Sequence, residues 1–226
     1  MRRRDILLGS LGAATAGAAH GAVKSDPSLY ADARAFIQEQ LQKPGAPSLS
    51  VAVFREGRVD WEEAFGWADR EGSIRATPDT PYSLASISKS FTGTTLAVLA
   101  ERKALDLDRP VNGYLGAGKL RSTAWPGDSM TVRQVANHTS GLPFHVQFFY
   151  ADRPYQRPPM DVTIETFGFP ATEPGTAYFY SNLGYGILGE MAGRVAGVPF
   201  ADLLRREVCL PLGLTHTGLG PATGSV

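Results

Sequence analysis

Apolar residues recur at helical spacing in three long segments of this sequence. Pro27 to Gln42 carries a stripe typical of an amphipathic first helix, and Pro81 to Lys103 carries a second one behind turn and cap residues. A third stripe runs from Leu183 to Val195 and stops at Gly197, a residue type that often ends helices. The spacing therefore predicts three long helices.

Alternating apolar and polar residues predict a β-hairpin between the first two helices. We expect its strands at Ser48 to Phe54 and Val59 to Gly66, joined by a turn at Arg55 to Arg58.

Residues suited to nucleophilic chemistry stand at the start of the second predicted helix. Ser86-Ile87-Ser88-Lys89 places a hydroxyl and an amine three residues apart, on one face of a helix. Ser86 would lie in the first turn, where unpaired N–H groups and the helix dipole favour negative charge near its oxygen. Lys89 could take the serine proton only after losing its own, which requires desolvation or a neighbouring cation. In the alternative, Ser86 is an ordinary helix cap and Lys89 an ordinary surface residue.

A second polar group, Tyr180-Ser181-Asn182, directly precedes the third predicted helix. The Tyr180 phenol could relay a proton between the nucleophile, Lys89 and a leaving group, and the Asn182 amide could hydrogen-bond to a substrate amide. In the alternative, Tyr180 is a buried ring with a satisfied hydroxyl and Asn182 caps the helix.

From about Leu29 to Leu219, the sequence resembles the serine β-lactamase-related family, in the branch of class C β-lactamases, D-alanyl-D-alanine carboxypeptidases and related esterases. Ser86-Ile87-Ser88-Lys89 matches the family's Ser-x-x-Lys motif, and Tyr180-Ser181-Asn182 matches its Tyr-x-Asn motif. Further family landmarks are matched, in the expected order, by Leu105 to Val111, Thr131 to Val135, His138 to Leu142 and Pro211 to Leu214.

The resemblance implies an α+β fold of the β-lactamase/penicillin-binding-protein type, with a helical lobe packed on an antiparallel sheet. It implies that Ser86 is the acylated nucleophile and that Lys89 and Tyr180 share general acid and base work. It also implies that Asn182 contacts the substrate.

The family's third motif, Lys-Thr-Gly or His-x-Gly on a strand lining the pocket, has no counterpart at the expected distance beyond Asn182. His216-Thr217-Gly218 matches His-x-Gly superficially, but it directly follows Pro211 to Leu214, where the family has a turn. The resemblance therefore leads us to expect that the C-terminal sheet strands are missing, with one of two oxyanion-hole donors. Loss of such a donor typically costs about 100- to 1,000-fold in turnover. Two remaining strands would leave exposed edges, so we expect poor stability or aggregation.

The N-terminal sequence predicts where the protein is located in the cell. Arg2 to Asp5 precedes an apolar stretch, Ile6 to Ala19, that is too short to span a bilayer and is followed by small residues suited to cleavage. Arg3 to Leu7 resembles a twin-arginine signal, and an ordinary secretory signal is the alternative. We therefore expect residues 1–22 to be an export signal, residues 23–226 to be a β-lactamase-related domain, and the protein to be periplasmic.

The composition is that of a globular protein and points away from nucleic acid. A 43% hydrophobic and 10% aromatic content is too high for a disordered chain. The chain balances 22 basic against 22 acidic residues, and 19 against 21 remain without the signal. We expect a monomer that binds a small-molecule or peptide substrate. We expect it to contact a membrane only during export.

Histidine and cysteine positions indicate scaffold rather than cofactor chemistry. Thr131 to Gln134 matches a capping box, which predicts a short helix ended by Gly141 and Pro143. His138 is therefore expected to be structural. The four histidines lack metal-ligand spacing, so we expect no metal and no other cofactor. Cys209, the single cysteine, cannot form an internal disulfide and is expected to be buried.

The segment from Pro143 to Pro174 is long for a connection and rich in proline and aromatic residues. Its aromatic side chains form either an apolar wall that selects substrates or a satellite core beneath the loop. A wall predicts that alanine at the two central phenylalanines changes relative rates across an ester series. The residues concerned are Phe144, Phe148, Phe149, Tyr150 and Tyr155.

The sequence thus predicts a serine hydrolase that forms an acyl-Ser86 intermediate with a β-lactam, a D-Ala-D-Ala-type peptide or an ester. The alternative is a non-catalytic or acyl-trapping family member without the third motif. The same motifs serve all three substrate classes, so the motifs do not select the acyl donor.

Overall fold

The structure is a computed structural model of the 226-residue chain, and it describes residues 28–126, 129–145 and 156–220. The predicted export signal, residues 1–22, lies outside the described residues, as do Phe148, Phe149, Tyr150 and Tyr155. The chain divides after Thr80 into two compact units. Their described parts are residues 28–80 and 81–220.

The first unit contains one helix and a three-stranded antiparallel sheet of order β1-β2-β3. The predicted first helix and hairpin are confirmed, whereas β3 is too short to give an alternating pattern and was not predicted. The elements are α1 (Ala31–Leu41), β1 (Ser48–Arg55), β2 (Arg58–Asp69) and β3 (Ile74–Arg75).

A β-bulge in β2 positions the small core of this unit. Phe54 pairs with Val59 and the preceding residue of β1 pairs with Trp61, so Asp60 is an extra residue on β2. The bulge breaks the alternation of the strand, and Asp60 and Trp61 are both buried. Tyr30 stacks on Trp61 at 4.6 Å between ring centroids and donates its hydroxyl hydrogen to Asp60 Oδ2 at 2.6 Å. These contacts pack the residue before α1 against strand β2 of the hairpin.

The second unit is built from helices. Two of them, α4 and α6, carry no signal that the sequence analysis used. Its helices are α2 (Ser88–Glu101), α3 (Val132–Ala136), α4 (Met160–Phe167), α5 (Asn182–Ala196) and α6 (Phe200–Leu204), with 3₁₀ turns at Ala85–Ile87 and Val111–Gly113 and a π-helical turn at Arg205–Cys209.

Helix α5 lies at the centre of the second unit and packs against α2, α3, α4 and α6. The third predicted helix is therefore confirmed, and Gly197 ends it in the left-handed conformation at φ 69°. Fully buried residues of α5 include Ile187, Leu188 and Met191. Cys209 is buried with a free thiol, as predicted.

Both remaining helix predictions need correction at their ends. The second helix begins at Ser88 rather than before Ser86, because Ala85 takes φ 45° and a 3₁₀ turn precedes the helix. The predicted capping box at Thr131 is confirmed, but the helix ends at Ala136, well before Gly141. Its end follows from His138, which adopts the left-handed conformation at φ 65°.

A helix that crosses a bilayer needs about 20 consecutive, mainly apolar residues. Within the described ranges, no helix is both long enough and apolar enough to cross a membrane.

Candidate active site

The site lies within the second unit, where the 3₁₀ turn and the starts of α2 and α5 meet. Ser86 is exposed in the turn Ala85–Ile87. Its Oγ lies 2.7 Å from the Tyr180 hydroxyl oxygen and 3.3 Å from Lys89 Nζ. The two sequence motifs are 94 residues apart at this contact, and the fold brings them within hydrogen-bond distance.

Lys89 lies in the first turn of α2 and joins the two motifs. Its Nζ donates to Asn182 Oδ1 at 2.7 Å as well as to Ser86 Oγ. The same atom lies 4.7 Å from the ring centroid of Tyr180 and 5.5 Å from that of Tyr185. Two oxygen acceptors and two aromatic faces therefore contact this nitrogen. In this geometry, Lys89 acts as a hydrogen-bond donor to both motifs of the site.

A serine rather than an asparagine caps α5. Ser181 is buried, and its Oγ accepts from Gly184 N at 2.9 Å and donates to Pro143 O at 2.7 Å. The alternative in which Asn182 caps the helix is therefore wrong. Because Ser181 does the capping, the side chain of Asn182 is turned to Lys89, while its backbone N–H donates to Phe144 O at 3.1 Å.

The charge of Lys89 acts directly on Tyr180. The neighbouring Lys89, and after it the hydrogen bond with Ser86, lowers the pKa of the Tyr180 phenol below its usual value. A lowered pKa makes the phenolate easier to form next to the serine hydroxyl. The arrangement can therefore remove the Ser86 proton to Tyr180 while Lys89 stabilises the resulting negative charge.

Two residues that the sequence analysis did not place in the site lie against Tyr180 or Lys89. His138, expected to be structural, is buried with its ring centroid 4.5 Å from that of Tyr180. Tyr185 lies one helical turn into α5 and donates its hydroxyl hydrogen to Ala136 O at 2.8 Å. Burial raises the pKa of Tyr185, so this phenol stays protonated beside the site. In the sequence, the family landmark His138 to Leu142 was the only signal that drew attention to His138. No sequence pattern drew attention to Tyr185.

Two exposed apolar side chains lie next to residues of the site. Ile87 is 63% exposed directly after Ser86, and Phe144 is 51% exposed with its ring centroid 6.0 Å from that of Tyr180. Of the five aromatic residues for which the sequence allowed a wall or a satellite core, Phe144 alone is described. Its position beside Tyr180 agrees with a wall, and the other four lie outside the described residues.

The histidine of the superficial His-x-Gly match is exposed in the segment that follows the π-helical turn. In the described parts of the chain, no three His, Cys, Asp or Glu residues come close enough together to hold a metal ion.

Comparison with known proteins places the chain in a family. Residues 33–225 match the family model described as Beta-lactamase. Among curated proteins, Protein flp of Staphylococcus aureus (strain N315) is 28% identical over 182 residues, which is 80% of this chain and 36% of that protein. Among solved structures, a class C beta-lactamase is 27% identical with a TM-score of 0.70. The beta-lactamase/D-alanine carboxypeptidase from Yersinia pestis complexed with citrate is 28% identical with a TM-score of 0.68.

The shared region covers most of this chain and a part of each relative. Both solved structures match 87% of this chain, and the match extends over 52% and 57% of theirs. This chain thus spans about half the length of the solved structures and about a third of the curated relative. These likenesses confirm the fold class that the sequence predicted.

Proposed function

This chain belongs to the β-lactamase family, and we propose that it is a serine hydrolase that works by acyl transfer through an acyl-Ser86 intermediate. The observation that carries the proposal is the contact of Ser86 Oγ with the Tyr180 hydroxyl at 2.7 Å, with Lys89 Nζ at 3.3 Å from the same oxygen. A nucleophile within hydrogen-bond distance of a base, which a third group in turn orients, is the arrangement that acyl transfer requires.

The first half of the reaction transfers the acyl group to the enzyme. Ser86 Oγ attacks the carbonyl carbon of the substrate while its proton passes to the oxygen of Tyr180. The tetrahedral intermediate collapses when the carbonyl carbon loses its leaving group, an amine nitrogen or an alcohol oxygen. The proton held by Tyr180 moves to that leaving atom, so no net proton is gained or lost. In the second half, a water molecule hydrolyses the acyl-Ser86 ester by the same steps.

Each flanking group has a place in this reaction. The Ser86 N–H belongs to the first turn of a 3₁₀ helix, where backbone N–H groups have no partner within the helix and can donate to a developing oxyanion. Asn182 Oδ1 is occupied by Lys89, which leaves the Nδ2 hydrogens to donate to a substrate carbonyl. Ile87 and Phe144 offer apolar surface to a substrate side chain or acyl group.

The substrate class that fits is a small carboxylic acid derivative: a β-lactam, a D-Ala-D-Ala-type peptide or an ester. A relative whose name combines beta-lactamase with D-alanine carboxypeptidase supports the first two. The exposed apolar side chains beside Ser86 support acyl donors with an apolar group in any of the three.

Intact-protein mass spectrometry after incubation with benzylpenicillin, nitrocefin or p-nitrophenyl acetate tests the proposal. We expect one adduct per folded chain, absent in Ser86→Ala and present in Ser90→Ala, a matched change at an exposed serine in the first turn of α2. Adduct decay within minutes identifies a hydrolase, and an adduct that persists identifies an acyl-trapping protein. A folded wild-type chain without any adduct contradicts the proposal and favours a non-catalytic role.

A further inference from the structure

His138 holds both neighbours of Tyr180 in the chain. Its backbone oxygen accepts from Phe179 N at 2.7 Å, and its side-chain Nδ1 accepts from Ser181 N at 3.1 Å. One residue therefore fixes the backbone immediately before and immediately after the phenol. The position is 8% exposed and takes φ 65°, a conformation that a residue other than glycine keeps only when its surroundings hold it.

The imidazole ring also packs directly on the site. Its centroid lies 4.5 Å from that of Tyr180 and 5.2 Å from that of Tyr185, and it meets Tyr178 edge-on at 5.6 Å. Lys89 Nζ lies over the rings of Tyr180 and Tyr185. The ring of His138 thus shares two aromatic neighbours with the catalytic amine.

The hydrogen bond at Nδ1 specifies the protonation state of the ring. Nδ1 can accept from Ser181 only while it carries a lone pair, so the imidazole is neutral with its hydrogen on Nε2. Burial lowers the pKa of His138, and the positive charge of Lys89 lowers it further. Among the described residues, the other titratable side chains in ring contact with His138 are the phenols of Tyr178, Tyr180 and Tyr185.

We propose that His138 is a positioning residue for acyl transfer: its neutral imidazole holds Tyr180 against Ser86, and its protonation releases Tyr180 and stops the reaction. This inference rests on the proposed function. Protonation would replace the acceptor at Nδ1 by a donor that faces the Ser181 N–H, and it would place a second cation beside Lys89. Both effects disfavour the geometry in which Tyr180 reaches the serine.

The proposal predicts a two-step loss of acylation in acid. Below the pKa of Tyr180, the rate falls tenfold per pH unit because the phenolate is the base. Below the pKa of His138, a second proton must leave, and the fall steepens to a hundredfold per pH unit. The steeper limb lies below pH 6.5, since the pKa of His138 is lowered from that value.

Three variants of the full 226-residue chain test this with pre-steady-state acylation by p-nitrophenyl acetate. His138→Asn keeps an oxygen acceptor, tolerates the left-handed backbone and cannot titrate. At neutral pH its acylation rate should stay within about tenfold of the wild-type rate. The steep limb should disappear, because Tyr180 is then the residue whose titration still limits the rate. His138→Phe keeps a ring and loses the acceptor, so its acylation rate constant should fall roughly 100-fold with little change in substrate affinity. His216→Asn, at an exposed histidine, should match the wild type.

A steep acid limb that survives in His138→Asn would overturn the proposal, as would wild-type rates in His138→Phe. If His138→Phe does not fold, the profile of His138→Asn decides alone. Nitrogen-15 NMR of histidine-labelled protein separates this inference from the proposed function. A wild-type chain that acquires no acyl group overturns the proposed function, and the tautomer then decides the positioning role. Hydrogen on Nε2 supports that role, and hydrogen on Nδ1 overturns it.

Discussion

The contacts of Lys89 and Tyr180 suit these residues to different parts of the proposed proton transfer. Lys89 Nζ donates to two oxygens and lies over two aromatic rings. The pKa of Tyr180 is lowered first by the neighbouring Lys89 and then by the hydrogen bond with Ser86. Tyr180 is therefore the better candidate for the base, and Lys89 for the group that stabilises its anion.

Lys89→Met should separate these roles. Without the ammonium the pKa of Tyr180 rises, so the limb on which the acylation rate increases with pH moves to higher pH. At neutral pH we expect the acylation rate to fall roughly 100-fold or more, the usual size of a general-base contribution, because less Tyr180 phenolate is present. The rate should recover in part in alkali, where the phenolate forms again. The measurement is the acylation rate of p-nitrophenyl acetate against pH. A profile that loses its rise with pH altogether would instead make Lys89 the base. Lys103→Met, at an exposed lysine after α2, should change nothing.

Gly141 has a backbone role that a side chain would disrupt. Its φ is 75°, and a Cβ there would lie 2.2 Å from Thr172 O. Gly141→Ala should destabilise the protein by about 1–3 kcal/mol, because a strained backbone and a forced contact add. Urea unfolding followed by circular dichroism measures the change. Gly93→Ala, in the interior of α2 with nothing near the new methyl group, should stabilise by about 1 kcal/mol; equal effects of the two changes would contradict this account.

At the residue scale, the sequence supplied the members of the site but not their arrangement. Motif spacing predicted that Ser86 and Lys89 share a face, and the resemblance added Tyr180 and Asn182. Spacing could not reveal that His138 packs on Tyr180, because that contact depends on how α3 and α5 meet. The left-handed conformation of Ala85 was likewise hidden, since alanine carries no preference for it.

At the scale of elements, the edge strand β1 is the most exposed feature of the first unit. In the described ranges, β1 pairs with β2 alone, so its other edge has no strand beside it. Phe54 is 71% exposed on β1, and its partner Val59 is 38% exposed, which makes an apolar pair at the hairpin end. An open edge with apolar side chains favours pairing between chains.

Phe54→Lys should therefore slow heat-induced aggregation, because a charge on an edge strand opposes pairing with another chain. We expect the aggregation rate, followed by light scattering during heating, to fall several-fold while the size of the unheated protein stays the same. Ala97→Lys adds the same charge on an exposed face of α2 and should leave the rate unchanged. Equal slowing by both variants would point to net charge rather than to the strand edge.

Element boundaries were predicted best where one local signal decides them. The capping box at Thr131 and the glycine after α5 were found from their residues alone. The bulge at Asp60 was not, since its cause is a register between two strands and a hydrogen bond from Tyr30, thirty residues away. Short elements such as β3 and α6 carry too few residues to show a period.

At the scale of the whole molecule, the two units differ greatly in the size of their cores. Of the described residues 28–80, only Asp60, Trp61 and Phe65 are buried. The second unit buries a continuous apolar cluster centred on α5, which extends from Leu96 to Leu203. Because stability comes mainly from buried apolar area, the first unit should be the weaker of the two.

Denaturant unfolding of Trp125→Phe measures both units in one sample. This variant keeps tryptophans only at Trp61 and Trp67, so its fluorescence reports the first unit, while far-UV circular dichroism reports mainly the helices of the second. We expect the fluorescence transition at lower urea than the dichroism transition, because the smaller core opens first. Coincident, concentration-independent transitions by both probes would show a single cooperative molecule. They would also refute the expectation of poor stability drawn from the sequence.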